Sequence, residues 1–295
     1  MKYISTFIAC MVYLSSQSQN YLDIIRFDFD YTIPQTFEDT TTKSVFHEMT
    51  LDATLPIVIN QGLSILTGFN TERVNVTPFS ANSTPENVYG IMLKAGINKV
   101  FSERWSGTYL ILPKLSSDLS STGKNDRQLG ALALMKLSQS PTKNLKFGMY
   151  VNSDLFGPMI VPLFGYYQLK NNLEINFTIP MNADINVRVS DQTKIGFRFN
   201  GTNKSYHLNV NPDQYLVKVN NEIGPYLQVA TGRINFLVNP GYSVGRSFKT
   251  FGIGDEVKYA ISLIRPGDVR QQLNTKFGDG LFVKSSIIYR FDLTN

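Results

Sequence analysis

The sequence predicts an all-β protein: a transmembrane antiparallel up-and-down β-barrel of about 14 strands, roughly 12–16 by the spacing of its breaks. Three observations predict it. Segment after segment alternates apolar and polar residues at period two, the signature of a strand with one dry and one wet face. No run approaches the ~20 apolar residues that a membrane-spanning helix requires, and the mean hydropathy is only −0.11. Long polar connections alternate with short ones through much of the chain, as in a barrel with long loops at one rim and tight turns at the other.

Composition agrees. Charged residues make up 17% of the 295-residue chain, 42% are hydrophobic and 12% aromatic, with one Trp. A soluble domain usually carries about 25% charge. The net charge of +5 comes from basic residues scattered along the strands, so no nucleic acid partner is expected.

The first residues read as a secretory signal. Lys2 supplies the basic region, Tyr3 to Leu14 the apolar one, and Ser16-Gln17-Ser18 the small residues before cleavage at Gln19. The expected organisation is therefore a signal peptide over 1–18 and a barrel over 19–295. The single cysteine, Cys10, lies inside the apolar region. It fits a lipoprotein box poorly, and the mature chain can form neither a disulfide nor a thiolate metal site.

The first strand follows at once. Tyr21, Asp23, Ile25, Phe27, Phe29, Tyr31 and Ile33 share one face; Arg26, Asp28, Asp30 and Thr32 share the other. Pro34 ends it. Strands are then expected over Val45–Leu55, Gly62–Phe69, Val88–Ile97, Arg104–Leu112, Leu129–Leu137, Leu145–Asn152 and Ile160–Leu169. Residues 70–86 and 114–127 read as long polar loops. Three clean alternations follow, LEINFTI, DINVRV and KIGFRF, separated by PMNA and SDQT as hairpin connections should be. Tyr206–Val210, Gln214–Ala230 and Ile234–Phe248 continue the pattern. Pro225 and Pro240 cannot donate to a ladder, so bulges or bends are expected there. Residues 249–279 read as a long loop with a small hairpin around Val257–Ile264.

The last strand, Leu281–Leu293, closes the list. Its dry face carries Leu281, Val283, Ile287, Tyr289 and Phe291, and its wet face Lys284, Arg290 and Asp292. A barrel closes by pairing its first and last strands, and the two ends of this chain share one two-faced pattern. A strand of this kind near the C-terminus resembles the assembly signal of outer-membrane proteins. A charge at Ile287 or Tyr289 is expected to impair membrane assembly, and Lys284→Gln to be tolerated.

The segment NFTIPMNADINVRVSDQTKIGFRFNGTNKSY resembles an uncharacterised outer-membrane β-barrel family of Bacteroidota, a domain-of-unknown-function family. Pro180, Asn186–Val189, Ser190-Asp191, Gly196, Phe199 and Gly201 match its order of strand, proline, strand, polar turn and strand. NEIGPYLQVATGRINFLVNPGYSVGRSFKTF is similar to that family's penultimate hairpin and YRFDL to its closing strand. The turn lacks the family's usual aromatic; Gln192-Thr193 stand there. The resemblance implies an outer-membrane barrel and brings no catalytic residues.

Candidate site residues follow from strand parity. Lumen-lining candidates are Arg26, Asp28, Asp30, Lys94, Lys136, Glu174, Arg188, Arg198, His207, Lys218, Lys284, Arg290 and Asp292. They describe a wet interior of mixed charge, fitting a narrow channel or a salt-bridged plug equally well. A barrel hydrolase needs a nucleophile and a base in reach of each other. Ser205 and His207 sit two residues apart with no carboxylate evident, and His47 shares parity with Val45 and Met49. Asp28 and Asp30 are too few for a calcium site of about six to eight oxygens. No catalytic residue, metal or cofactor is therefore assigned.

The expected function is an integral outer-membrane β-barrel protein of a Gram-negative bacterium, a narrow channel or a barrel subunit of an envelope complex, and not an enzyme. Its partners would be outer-membrane lipid and, during biogenesis, the barrel-assembly machinery. A lipid- or lipopolysaccharide-modifying hydrolase and a soluble secreted β-barrel or β-sandwich binding protein are the alternatives.

Overall fold

Sixteen strands run through the chain in the computed structural model, which describes residues 21–36, 43–77, 87–262, 264–274 and 278–292. They are β1 (Tyr21–Thr32), β2 (Gln35–Thr36), β3 (Lys43–Asn60), β4 (Leu63–Thr77), β5 (Asn87–Val100), β6 (Trp105–Ser117), β7 (Arg127–Ser140) and β8 (Lys143–Asp154). Then come β9 (Gly157–Lys170), β10 (Leu173–Ile179), β11 (Asn182–Arg188), β12 (Thr193–His207), β13 (Gln214–Thr231), β14 (Ile234–Gly252), β15 (Ala260–Ile261) and β16 (Gly280–Asp292). Two of these, β2 and β15, are two-residue pieces. The other fourteen pair in antiparallel sequence order, and β1 pairs with both β3 and β16. The result is a closed antiparallel fourteen-stranded β-barrel without helices among the described residues. The expected signal peptide over 1–18 lies outside the described residues, as do residue 293 and the side chain of Asp292.

Two-faced strands decide what faces where. Apolar side chains stand exposed on the outer face of every wall strand, among them Phe27, Leu55, Phe69, Leu93, Ile111, Phe147, Phe164, Ile185, Phe197, Leu227, Phe236 and Ile287. On the inner face stand Asp30, Glu72, Asn144, Glu174, Asn186, Lys218 and Glu222, all buried. Apolar outside and polar inside is the inverse of a soluble barrel, and is the arrangement that lipid demands.

At one rim every wall connection is tight, from the Gln61-Gly62 turn of β3–β4 to the Gly232-Arg233 turn of β13–β14. At the opposite rim the long connections gather. Two connections there are also short, Leu155-Phe156 between β8 and β9 and Pro180-Met181 between β10 and β11.

Several elements differ from expectation. The polar stretch after Phe69 is the second half of β4, because Asn70 and Glu72 face the interior while Thr71 and Arg73 face out. KIGFRF and the following GTNKSYH form the single strand β12. A register shift between Asp23 and Ile25 turns Tyr21 and Asp23 inward, away from the apolar face that alternation assigned them. The ladder between β13 and β14 is interrupted around Pro225 and Pro240, and the Asn239 amide donates to the Pro225 carbonyl at 2.7 Å instead. Finally β10 and β11 are only seven residues long, short of the ~9–11 that a full crossing needs.

Candidate functional site

Above the short β10–β11 hairpin the wall changes course. The last β11–β12 pair is Asn182 with Asn200, so residues 201–207 of β12 have no β11 neighbour. The last β14–β16 pair is Ser243 with Gly280, after which Gly245 adopts a left-handed φ of 63° beside a register shift. Beyond these points the tops of β12, β13 and β14 stay paired to one another and fold into the lumen as a three-stranded flap. Three contacts fix its path. His207 at the end of β12 pairs in parallel with Ser117 at the end of β6. Ser205, on the outer face of β12, donates its hydroxyl to Asp154 on the inner face of β8 at 3.0 Å. Lys204, on the inner face, reaches Glu72 of β4 at 2.6 Å.

Both faces of the flap are sealed. Towards β3–β5 lies an apolar cluster of Phe46, Val74, Val88, Tyr206, Leu208, Leu216 and Phe248. Towards β9, Tyr215, Val217, Val219 and Phe251 pack with Phe156, Met159, Val161 and Leu163 and with Val257 and Ala260 of the β14–β16 connection. Strand segments dry on both faces read as continuous apolar runs, which is why YLV stands at Tyr215–Val217.

Charged groups are interleaved with these clusters. The fully buried Lys218 pairs with Glu48 at 2.6 Å, and Glu72 accepts from Lys204 and, at 2.8 Å, from the Tyr206 hydroxyl. Lys284 bridges Glu222 and Asp30. The carboxylates of Asp30, Glu48 and Glu222 lie close enough to hold one cation between them. Lys218 and Lys284, however, already occupy that corner and supply the positive charge.

Nearer the tight-turn rim a second network crosses the lumen. Tyr21 donates to Glu174 at 3.0 Å, Lys194 pairs with Glu174 at 2.8 Å, and Arg290 pairs with Asp23 at 2.6 Å while lying over the Tyr21 ring. Arg198 and Tyr226 both bind Asp184, at 2.7 Å and 2.8 Å. Between the networks Arg26 pairs with Asp28, and Lys94 with Asp52, at 2.8 Å and 2.7 Å. Lys136 and Lys146 sit opposite each other on β7 and β8, and among the described residues neither has a carboxylate within ion-pair distance.

Of the thirteen residues assigned to the lumen, the side chain of Asp292 lies outside those described. Arg188 is exposed at the tight-turn end of β11, beside the lumen mouth. His207 is a correction: it sits on the outer face of β12, brought inside by the flap. Its Nδ1 meets Asp126 at 2.8 Å and its Nε2 the Pro212 carbonyl at 3.0 Å, so it fastens the flap tip to the β6–β7 connection. Asn209 binds Asp126 as well, and Asp118 accepts from the Val210 amide. Ser205 is engaged with Asp154 and Gln128 rather than with His207. The other ten stand on the inner face of the wall or of the flap. His47 faces out and packs beside Phe29 and Tyr31. The outer face of β16 carries Leu281, Val283, Ile287 and Tyr289, all exposed, with Phe291 beneath Arg233. Parity alone missed Glu48, Asp52, Glu72, Asp154 and Asp184 as interior partners of these cations. Glu48, Asp52 and Asp184 carried a signal, each being a carboxylate within a period-two stretch, whereas Glu72 and Asp154 lie beyond the strands that alternation marked.

A cavity of about 320 Å³ remains in the lumen, lined by Met92, Leu112, Leu132 and Tyr150 with Glu72, Lys114 and Lys204 at its margin. Lys114 donates to the Tyr150 hydroxyl there at 2.5 Å. The molecule is thus a transmembrane β-barrel with an interior plugged by part of its own sheet. The chain belongs to the family described as Domain of unknown function (DUF6268), which matches residues 36–251. No curated protein matches it. Among solved structures it is similar to an outer membrane channel of Pseudomonas putida F1, at 8% identity and a TM-score of 0.46 over 92% of this chain and 95% of that one. It is also similar to the NanC porin, at 8% identity and a TM-score of 0.37 over 89% and 98%. For the Pseudomonas putida toluene transporter TodX the values are 8% and 0.32 over 93% and 90%. The likeness goes no further than barrel architecture.

Proposed function

We propose that the protein is an integral outer-membrane channel of a Gram-negative, Bacteroidota-type envelope, narrow and held closed by its own inward-folded sheet. The observation that carries this reading is the lumen itself. Its wall carries networks of charged and polar groups near the tight-turn rim and beneath the flap, interrupted by the apolar clusters that seal the flap. It encloses a cavity, and its obstruction is built from strands that end in loops rather than from a separate domain. A barrel serving only as a membrane anchor needs no such interior. A hydrolase built on Ser205 and His207 is disfavoured, because the two are bound to separate carboxylates, Asp154 and Asp126. Outer-membrane lipid covers the apolar outer face, and the barrel-assembly machinery inserts it.

The test is electrical. Purified protein in planar bilayers should give small single-channel currents, enlarged when the flap tip is released by His207→Ala. A wild-type barrel and a His207→Ala barrel that are both electrically silent would overturn the channel. Fractionation should recover the protein only with detergent.

A further inference from the structure

The short hairpin leaves a gap in the wall. Residues 157–163 of β9 extend beyond the last β9–β10 pair, Phe164 with Ile179, and β12 turns inward after Asn200. Pro180 limits the hairpin, since it lacks the N–H that a further ladder bond would need. The tip is held to β12 by one bond, Gly201 N–H to the Met181 carbonyl at 2.7 Å. A Cβ on Gly201 would stand 2.8 Å from the Pro180 carbonyl oxygen, so the close approach requires glycine there. Higher up, β15 pairs in parallel with Met159 and Ile160, and the Asn203 amide reaches the Ser262 carbonyl at 3.4 Å. The gap thus has a floor at Met181, a lintel at Ser262, and jambs formed by β9 and β12.

Within this frame lies a cavity of about 140 Å³, lined on its apolar side by Met159, Val161, Pro180, Met181 and Phe199 and on its polar side by Thr202, Asn203, Asn221 and Ser262. It shares Tyr150, Met181 and Gly201 with the larger lumen cavity, so the two adjoin. Outside, its rim carries the exposed side chains of Ile160, Phe164 and Ile179. Those residues belong to the apolar band, which puts the opening at the level of the bilayer. A polar pore gains nothing from an apolar side door. A solute that partitions into lipid does, because it can leave sideways without passing the charged network of Tyr21, Glu174 and Arg290.

We propose that this gap is a lateral portal through which a neutral, apolar molecule of about one aromatic ring passes between the lumen cavity and the bilayer. The size follows from the volume: a cavity of about 150 Å³ is large enough to admit benzene or xenon. Methionine sulfur and aromatic rings are favourable neighbours for such a solute. This inference rests on the channel reading and names its substrate class and exit.

The experiment uses the full-length protein, with fluorobenzene as the probe. Saturation-transfer 19F NMR on nanodisc-embedded protein should detect binding, and Val161→Trp, which fills the cavity, should weaken it at least tenfold. Met181→Trp, at the half-exposed hairpin tip, provides a second variant if the first fails to assemble. Cells expressing the wild type should take up [14C]benzene at least severalfold faster than cells expressing either variant. Each variant should still conduct in planar bilayers, since ions do not use the side opening, although the size of its currents can differ because Val161 packs against the flap and Met181 lines the lumen cavity. Binding and uptake unchanged in both assembled variants, with conductance present, would overturn the portal and leave the channel standing. Wild-type binding that both variants abolish, without any conductance, would support an apolar site in the wall gap and overturn the channel on which transport through it depends.

Discussion

Ser205 and Asp154 are joined across the barrel interior: a hydroxyl on the outer face of β12 donates to a carboxylate on the inner face of β8 at 3.0 Å. An outer face can meet an inner face only where a strand has left the wall, so this bond marks the flap. Ser205 also binds the Gln128 amide and accepts from the Leu155 N–H. Ser205→Ala leaves Asp154 with the Asn152 amide as its one remaining side-chain donor among the described residues. A buried acceptor left short of a partner costs about 1–3 kcal/mol. The variant should melt earlier in detergent and show longer channel openings. Wild-type values for both would mean that the flap does not depend on this bond.

Lys218 tests the other face. It is 1% exposed and its ammonium lies 2.6 Å from Glu48 and 3.9 Å from Glu72. Removing one partner of a buried ion pair costs about 3–5 kcal/mol because the other charge stays behind. Lys218→Met should be strongly destabilised in urea titrations, and Lys218→Met with Glu48→Gln should recover a good part of the loss. Additive costs would show that the pair is not coupled.

How much of this was legible follows from what alternation can encode. Period two gives the face of a residue relative to its own strand, so the outward row Leu281, Val283, Ile287, Tyr289 and the closure of β1 on β16 were readable. It says nothing about whether the strand is still in the wall. His207 was assigned to the lumen by parity, yet it arrives inside only because β12 bends inward. The register shift after Asp23 was hidden because Leu22, Ile24 and Ile25 are all apolar and either phase looked dry. The second half of β4 looked like a loop because its interior residues, Asn70 and Glu72, are as polar as any surface. Tyr215-Leu216-Val217 was the one direct sign of a strand buried on both sides.

Ile287 and Lys284 separate lipid from lumen on one strand. Ile287 is 49% exposed on the outer face, where an arginine near the bilayer midplane costs about 2–4 kcal/mol. Ile287→Arg should lower the yield of heat-modifiable, membrane-assembled protein. Lys284→Gln, expected from parity alone to be harmless, should instead destabilise the barrel, because it removes the cation shared by Asp30 and Glu222. Its unfolding midpoint in urea decides the matter, and an unchanged midpoint would make the bridge dispensable.

Lys136 and Lys146 should set ion preference. They face each other in the β7–β8 register without a carboxylate partner among the described residues, and a low-dielectric tube focuses the field of such charges on the path between its walls. In a salt gradient the reversal potential should report a preference for chloride over potassium. Lys136→Gln with Lys146→Gln should move that potential towards the cation side while leaving the fold intact. A potential that does not move would place the conducting path away from β7 and β8.

Asp268 provides a pH test outside the membrane-spanning strands. Its two oxygens accept from Arg270 at 2.8 Å and 2.7 Å, and these hydrogen bonds hold its carboxyl below the ordinary value of 3.8 despite the opposing effect of burial. The clamped Arg270 lies 4.3 Å from the centre of the Phe251 ring and donates to the Tyr215 hydroxyl at 3.1 Å, capping the apolar cluster beside the flap. A carboxyl whose folded value is depressed contributes stability that is present above its unfolded value and is lost as pH falls through the folded one. Solvent screening keeps that contribution small, because Asp268 is largely exposed. Hydrogen exchange of the amides around Leu273, whose N–H bonds the Thr250 carbonyl, should therefore be slower in the wild type than in Asp268→Asn at neutral pH. The two should converge as pH drops below 3.8. A gap that persists unchanged into strong acid would assign the protection to packing rather than to the charge on Asp268.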